Sequence, residues 1–220
     1  MNAILFGGTG MVGQGVLREC LQDPRVEHLL LVVRRSSGVT SPKLTELVHE
    51  DFYDWTAAAD QFNGYDTCFF CLGVSALGMN EADYRRTTYD LTLNVADALL
   101  HHHIETFIYV SGLGTNEHSR SMWARVKGAT ESALLRLPFA QAFCFRPGFI
   151  QPLNGIRSKT SWYNALYAVL GFTYPLLKRI AAPYVTSTEE VGRAMISVAA
   201  HGYPKSILET ADITTAAQRP

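Results

Sequence analysis

The stretch at 6–15, FGGTGMVGQG, constrains the fold more than any other segment. It joins a short apolar run, AILF at 3–6, to a helical pattern, MVGQGVLRECLQ. Gly7, Gly10 and Gly13 stand three residues apart. A tight strand-to-helix turn needs a residue tolerant of positive φ, and close approach of backbone to phosphate leaves no room for a Cβ. Packing the helix on the strand needs a small third residue. The amides of the helix's first turn then face a diphosphate. A glycine triplet alone is weak evidence, but this one stands where the first turn of a βαβ unit stands. The segment therefore predicts a dinucleotide-binding corner.

The rest of the chain repeats the alternation. HLLLVV (28–33) is the continuous apolar run of a parallel strand buried on both faces. LTELVHEDF (44–52) and YDTCFFCLG (65–73) read as strands, and 81–103 as one long amphipathic helix carrying Tyr84, Thr88, Leu91, Val95, Ala98 and Leu99 at helical spacing. ETFIYVS (105–111) is a strand, 119–137 a helix, and AQAFCFRPG (140–148) a strand closed by Pro147 and Gly148. Ser187-x-x-Glu190 is a candidate capping box before TEEVGRAMISVAAHG, and KSILETADI supplies a last strand. This predicts an α/β chain with a doubly wound parallel sheet (a Rossmann fold), one domain over 1–220, whose part 149–220 builds a substrate pocket. WYNALYAVLGFTYPLL (162–177), broken by Asn164, Gly171 and Pro175, is short for a membrane span and reads as a helix pair over that pocket.

Composition narrows the partners. A hydrophobic content of 47%, 18% charged residues and a formal net charge of −1 give no global attraction to nucleic acid or anionic membrane. Cys20, Cys68, Cys71 and Cys144 form no disulfide framework, and Cys68 and Cys71, three apart on a strand, point to opposite faces. With a start lacking the basic run of a leader, these thiols predict a cytoplasmic protein. His101, His102 and His103 project about 100° apart on a helix and do not converge on a metal. G-x-S-x-G and P-loop lysine motifs are absent, which excludes the hydrolase and triphosphatase classes that use them.

The end of the second strand selects between cofactors. An NAD site places an acid about 20 residues beyond the glycine loop, for the ribose 2′-hydroxyl. Here Arg34 and Arg35 follow LLLVV, with Ser36 and Ser37 behind. Guanidinium groups pair with a 2′-phosphate where a carboxylate would repel it. The position favours NADP over NAD.

Taken in order, GGTGMVG, VVRR, EDF, CLG, YVSG, VKG and FRPG resemble the atypical and extended short-chain dehydrogenase/reductases, especially their small NADP-binding, HIV Tat-interacting oxidoreductase-like group. The resemblance implies that Thr9, Met11 and Val12 help hold the pyrophosphate, that Asp51 and Phe52 flank the adenine, and that Leu72 and Gly73 pass under the ribose. It implies that Lys127 hydrogen-bonds the nicotinamide ribose and that Pro147 and Gly148 line the nicotinamide. The family's proton-donating tyrosine, four residues before the lysine, falls on Trp123. Its serine falls on Gly112 by one spacing and on Ser111 by a one-residue slip. An indole cannot shuttle a proton near neutrality, so the donor would be Ser111, Lys127 through water, or Tyr163, Tyr167 or Tyr174. The implied activity is NADP-dependent oxidation or reduction of a small carbonyl or hydroxyl compound. A non-catalytic NADP(H) sensor and a nucleotide-sugar epimerase or dehydratase are the alternatives. The helices at 81–103 and 119–136 could pair two subunits, as in many relatives.

Overall fold

The structure is a computed structural model and describes residues 1–156 and 180–219. Seven strands form one fully parallel sheet. They are β1 (Asn2–Phe6), β2 (His28–Val33), β3 (Leu44–Val48), β4 (Thr67–Phe70), β5 (Thr106–Val110), β6 (Gln141–Arg146) and β9 (Ile207–Glu209), in the order β3-β2-β1-β4-β5-β6-β9. Parallel strands need crossovers, and helices supply them on both faces. These are α1 (Met11–Gln22), α2 (Glu81–Arg85), α3 (Leu91–His101), α4 (Met122–Leu134), α5 (Thr188–His201) and α6 (Thr210–Ala216). The strand order reverses between β1 and β4, which opens a crevice at the carboxyl ends of those two strands.

The sheet is buried on both sides, as the unbroken HLLLVV run requires: all of β2 after His28 is buried. One core lies under α1 and α5 and contains Leu5, Leu29, Leu31, Phe69, Phe143, Val191 and Met195. The other, with Ile4, Phe6, Phe70, Phe107, Tyr109 and Leu134, lies on the opposite face. Cys68 belongs to this second core, while Cys71 packs on the first with its Sγ 4.0 Å from Met195 Sδ. The two thiols face opposite ways, as strand geometry dictates.

Several boundaries differ from the sequence reading. The expected strand 44–52 stops at Val48, because the chain turns where Asp51 accepts a hydrogen bond from the Tyr53 amide at 2.9 Å. The expected single helix 81–103 is interrupted by a π-helical turn, Arg86–Asp90, between α2 and α3. Threonine hydroxyls act on backbone carbonyls around this turn: Thr87 Oγ1 donates to Asp83 O and Thr92 Oγ1 to Thr88 O. Such back-bonding loosens a helical ladder and accommodates the extra residue. Two three-residue strands, β7 (Phe149–Gln151) and β8 (Val185–Ser187), pair in a separate small sheet that the sequence did not reveal.

Ser187 caps α5 by accepting from the Glu190 amide at 3.1 Å. A full capping box stands instead at α6, between Glu209 and Asp212. Residues 188–216 thus complete the main sheet and its helical layer, while the segment 162–177, expected to cover a pocket, lies outside the described residues. No helix among the described residues is long and apolar enough to cross a membrane.

Candidate functional site

The first corner is built by the loop between β1 and α1. Gly7 adopts φ +80°, and a Cβ there would lie 2.7 Å from the carbonyl carbon and oxygen of Cys71 and from the Leu72 amide nitrogen. The loop therefore backs directly onto the chain leaving β4. A Cβ on Gly13 would lie 2.1 Å from the Gly7 carbonyl oxygen, so α1 can settle on the loop only with glycine there. Gly10 is the N-cap of α1, has no side-chain capping bond, and donates its amide to Gly7 O at 2.9 Å. The first turn, Met11, Val12 and Gly13, carries no acidic residue. Its amides have no intrahelical acceptor and its dipole is uncompensated. Thr9 lies in the loop, its carbonyl accepting from Gln14 Nε2 at 3.2 Å.

Around this corner the neighbouring strands deliver the other sequence-predicted residues. Phe6 pairs with Val32, so Arg34 and Arg35 emerge from β2 beside the glycine loop. Both are exposed, and among the described residues neither is drawn into an ion pair. The turn behind them is anchored by Glu46 of β3, which accepts from Ser36 Oγ at 2.6 Å and from the Ser37 amide at 2.8 Å. These bonds hold the Glu46 carboxyl below the usual range. Asp51 is exposed at the rim, whereas Phe52 is 6% exposed with its ring edge-on to Phe6 at 6.1 Å. Phe52 thus anchors the rim from the core. Leu72 is half-buried, and Gly73 is exposed with open space around it.

A second group gathers at the ends of β5 and β6. Lys127, on α4, directs Nζ to the carbonyls of Ser111 at 3.1 Å and Val110 at 3.4 Å, with the Tyr109 ring 5.5 Å away. Lys127 is half-buried as a whole, and burial around its bonded ammonium lowers its pKa to about 8 against an opposing pull from Glu131. Ser111 is buried, and its Oγ lies 2.9 Å from Thr115 Oγ1, which itself donates to Gly112 O at 2.7 Å. With the Thr115 proton so used, Ser111 donates to Thr115 and its proton stays within the turn. Trp123, one helical turn before Lys127, is 36% exposed and lies over Gly112 and Gly114. Pro147 O accepts from Leu113 N at 3.0 Å, and Gly148 N donates to Thr210 Oγ1 at 2.8 Å. Gly148 is closely backed by Tyr184, whose carbonyl oxygen would lie 2.4 Å from a Cβ there.

Phe70 pairs with both Phe6 and Tyr109, so the two groups lie at the carboxyl ends of neighbouring strands of the sheet. Two hollows lie elsewhere: about 530 Å³ at the start of β6, lined by Gln141, Tyr203 and Arg219, and about 380 Å³ beside α4, lined by Glu117, Gly128 and Arg146. Neither reaches the glycine loop. The histidines of the triplet diverge, His101 Nδ1 to Asp97 O and His102 Nδ1 to Asn63 Oδ1. The sequence reading missed Glu46 and the pair Glu131–Arg146, because each works through a partner on another element, and it missed Thr115, whose partners Ser111 and Gly112 lie in its own turn.

The depressed Lys127 pKa carries a stability consequence with a definite sign. Between about pH 8 and 10.5 the unfolded chain holds a proton on this lysine that the folded chain has released, so folding stability from this group rises with pH across that window. Melting curves of the wild type minus those of Lys127→Met should show this rise. A flat difference from pH 7 to 10 would mean the ammonium is not desolvated.

With this geometry in view, comparison with known proteins is informative. Residues 7–135 match a family model described as NAD(P)H-binding. The protein FMP52, mitochondrial, of Saccharomyces cerevisiae is 27% identical over 205 residues, 90% of this chain and 87% of its own length. Its counterpart of the same name in Debaryomyces hansenii is 30% identical over 166 residues, 73% of this chain and 70% of its own. A crystal structure of a short-chain dehydrogenase/reductase from Saccharomyces cerevisiae superposes with a TM-score of 0.67 at 14% identity, covering 96% of this chain and 97% of that one, and so speaks for the fold. The relatives' names overturn the cytoplasmic placement drawn from the cysteines. Free thiols report a reducing environment and do not say which compartment provides it.

Proposed function

The chain belongs to the NAD(P)H-binding family, and from that premise we propose that it is an NADP(H)-dependent oxidoreductase of small carbonyl or hydroxyl compounds whose proton donor is not the usual tyrosine. One observation carries the reading: a corner in which Gly7 and Gly13 leave no room for a Cβ lies beside two arginines free of ion pairs among the described residues. The first-turn amides of Met11, Val12 and Gly13, with Thr9 and Gly10, would hold the diphosphate. Arg34 and Arg35 would hold the 2′-phosphate, with Asp51 and Phe52 bordering the adenine and Leu72 and Gly73 under the ribose. Lys127 would donate to the nicotinamide ribose, and Pro147 and Gly148 would line the ring. When bound, the nicotinamide supplies or accepts hydride. The relatives' names support a mitochondrial setting.

A sensing role without turnover is the second reading, favoured by Trp123 at the tyrosine position and by the Ser111 proton being spent on Thr115. Tyr163, Tyr167 and Tyr174, the alternative donors, lie outside the described residues. Turnover of a carbonyl panel with NADPH separates the two readings.

The cofactor preference is tested by Arg34→Ala/Arg35→Ala. Charge-assisted contacts contribute about 1.5–3 kcal/mol each, so NADPH affinity should fall by roughly tenfold or more while NADH affinity stays level. Calorimetry reads both, and equal losses for the two cofactors would remove the 2′-phosphate assignment.

A further inference from the structure

One turn beyond Lys127 on α4, Glu131 keeps 2% of its surface exposed. Lysine and carboxylate four residues apart on a helix are placed to pair. Here they do not, because Arg146 at the end of β6 takes the carboxylate. Its Nε lies 3.0 and 3.1 Å from the two Glu131 oxygens, its Nη2 2.5 Å from Oε2, and its Nη1 3.2 Å from Glu209 Oε1. Lys127 Nζ turns instead to the β5 carbonyls.

We propose that Arg146 is a positioning residue for Lys127: by saturating Glu131 it prevents that carboxylate from capturing the ammonium and keeps Lys127 available to the cofactor ribose. The inference rests on the ribose-binding role of Lys127 given above. The charged and titratable groups facing this lysine among the described residues are few. Tyr109 lies beneath it on β5, Glu131 beside it on α4, and Arg146 behind Glu131 on β6. Glu131 already raises the affinity of Lys127 for its proton, against the larger effect of burial. Without Arg146 the carboxylate would be buried, unpaired and within reach of the one cation on its own face of the helix. Pairing there would withdraw Nζ from the Ser111 carbonyl and from the crevice.

The test is NADPH affinity as a function of pH for the wild type, Arg146→Met, Glu131→Gln, the double variant and Lys127→Met, each with a melting curve. Arg146→Met should weaken NADPH by roughly tenfold or more, the loss of a charge-assisted contact, and should move the pH at which affinity declines upward. Glu131→Gln should move that pH downward. The double variant, with neither the carboxylate nor its guard, should recover affinity to within about threefold of wild type, a strong coupling between neighbouring sites. A purely structural role predicts the opposite, a double variant as weak as Arg146→Met. That result, or an unaltered pH profile in Glu131→Gln, overturns the proposal. Breaking a buried pair is strongly destabilising. If Arg146→Met does not fold, Glu131→Gln and the double variant still decide, since neither buries a lone carboxylate. Weakened binding in Lys127→Met with wild-type affinity in Arg146→Met overturns the role of Arg146 alone. Undiminished binding in Lys127→Met overturns the ribose-binding reading together with it.

Discussion

Gly13→Ala should abolish measurable pyridine-nucleotide binding. The new methyl would lie 2.1 Å from Gly7 O, 2.6 Å from Gly7 C and 2.8 Å from Gly8 Cα. All three are backbone atoms, and no side chain can swing aside. The helix must back away from the loop, which carries its first-turn amides off the line on which they meet a diphosphate. Losing two or more charge-assisted contacts of about 1.5–3 kcal/mol each reduces affinity by roughly a hundredfold or more. Overpacking should also lower stability by about 1–3 kcal/mol. Gly64→Ala is the control, because Gly64 has φ +86° but nothing within 4 Å of a Cβ. It should cost about 1–2 kcal/mol of backbone strain and leave binding untouched. Calorimetry and thermal melts of both variants separate crowding at the cofactor corner from a general weakening. Equal binding by the two would mean that the loop does not hold the diphosphate.

The second large effect is a gain. Trp123 stands one helical turn before a lysine whose ammonium is already inclined to release its proton, with a pKa near 8. A tyrosine there would place a phenol beside that cation, which stabilises phenolate and eases proton donation. If the chain orients hydride but lacks a donor, Trp123→Tyr should raise carbonyl reduction by about 10²–10⁴-fold, the usual contribution of a positioned general acid. The exchange is sterically mild, since the indole is 36% exposed and lies over the glycines at 112 and 114. NADPH affinity serves as the internal control. An unchanged rate at unchanged affinity would show that the wild type already has an effective donor elsewhere, or that no hydride is transferred at all.

What could be read from the chain alone depended on whether its physics was local. The glycine corner was legible because its requirements, a positive φ at Gly7 and the absence of a Cβ at Gly13, concern residues six apart in one turn. HLLLVV was legible because two-sided burial leaves a continuous apolar run. The Ser187 cap was legible because its partner, the Glu190 amide, is three residues on. Arg146 was not, because its meaning comes from Glu131 on α4 and Glu209 on β9. Nor was Glu46, whose grip on Ser36 and Ser37 exists only once β3 lies beside β2. The strands β7 and β8 are three residues each, too short to show a period. The π-turn at Arg86–Asp90 left the apolar spacing on either side nearly intact, so the pattern read as one helix. Phe52 shows a further limit: nothing in the local sequence announces that its ring lies edge-on to Phe6 in the core.

The proposed function requires a β1–α1 corner that would bind a dinucleotide diphosphate and an adjacent pair of arginines that would recognise its extra phosphate. Titration calorimetry of the folded wild-type chain with NADPH and NADH tests both at once. The account predicts one site per chain and tighter binding of NADPH, an advantage that shrinks as salt rises. No heat with either nucleotide would contradict it outright.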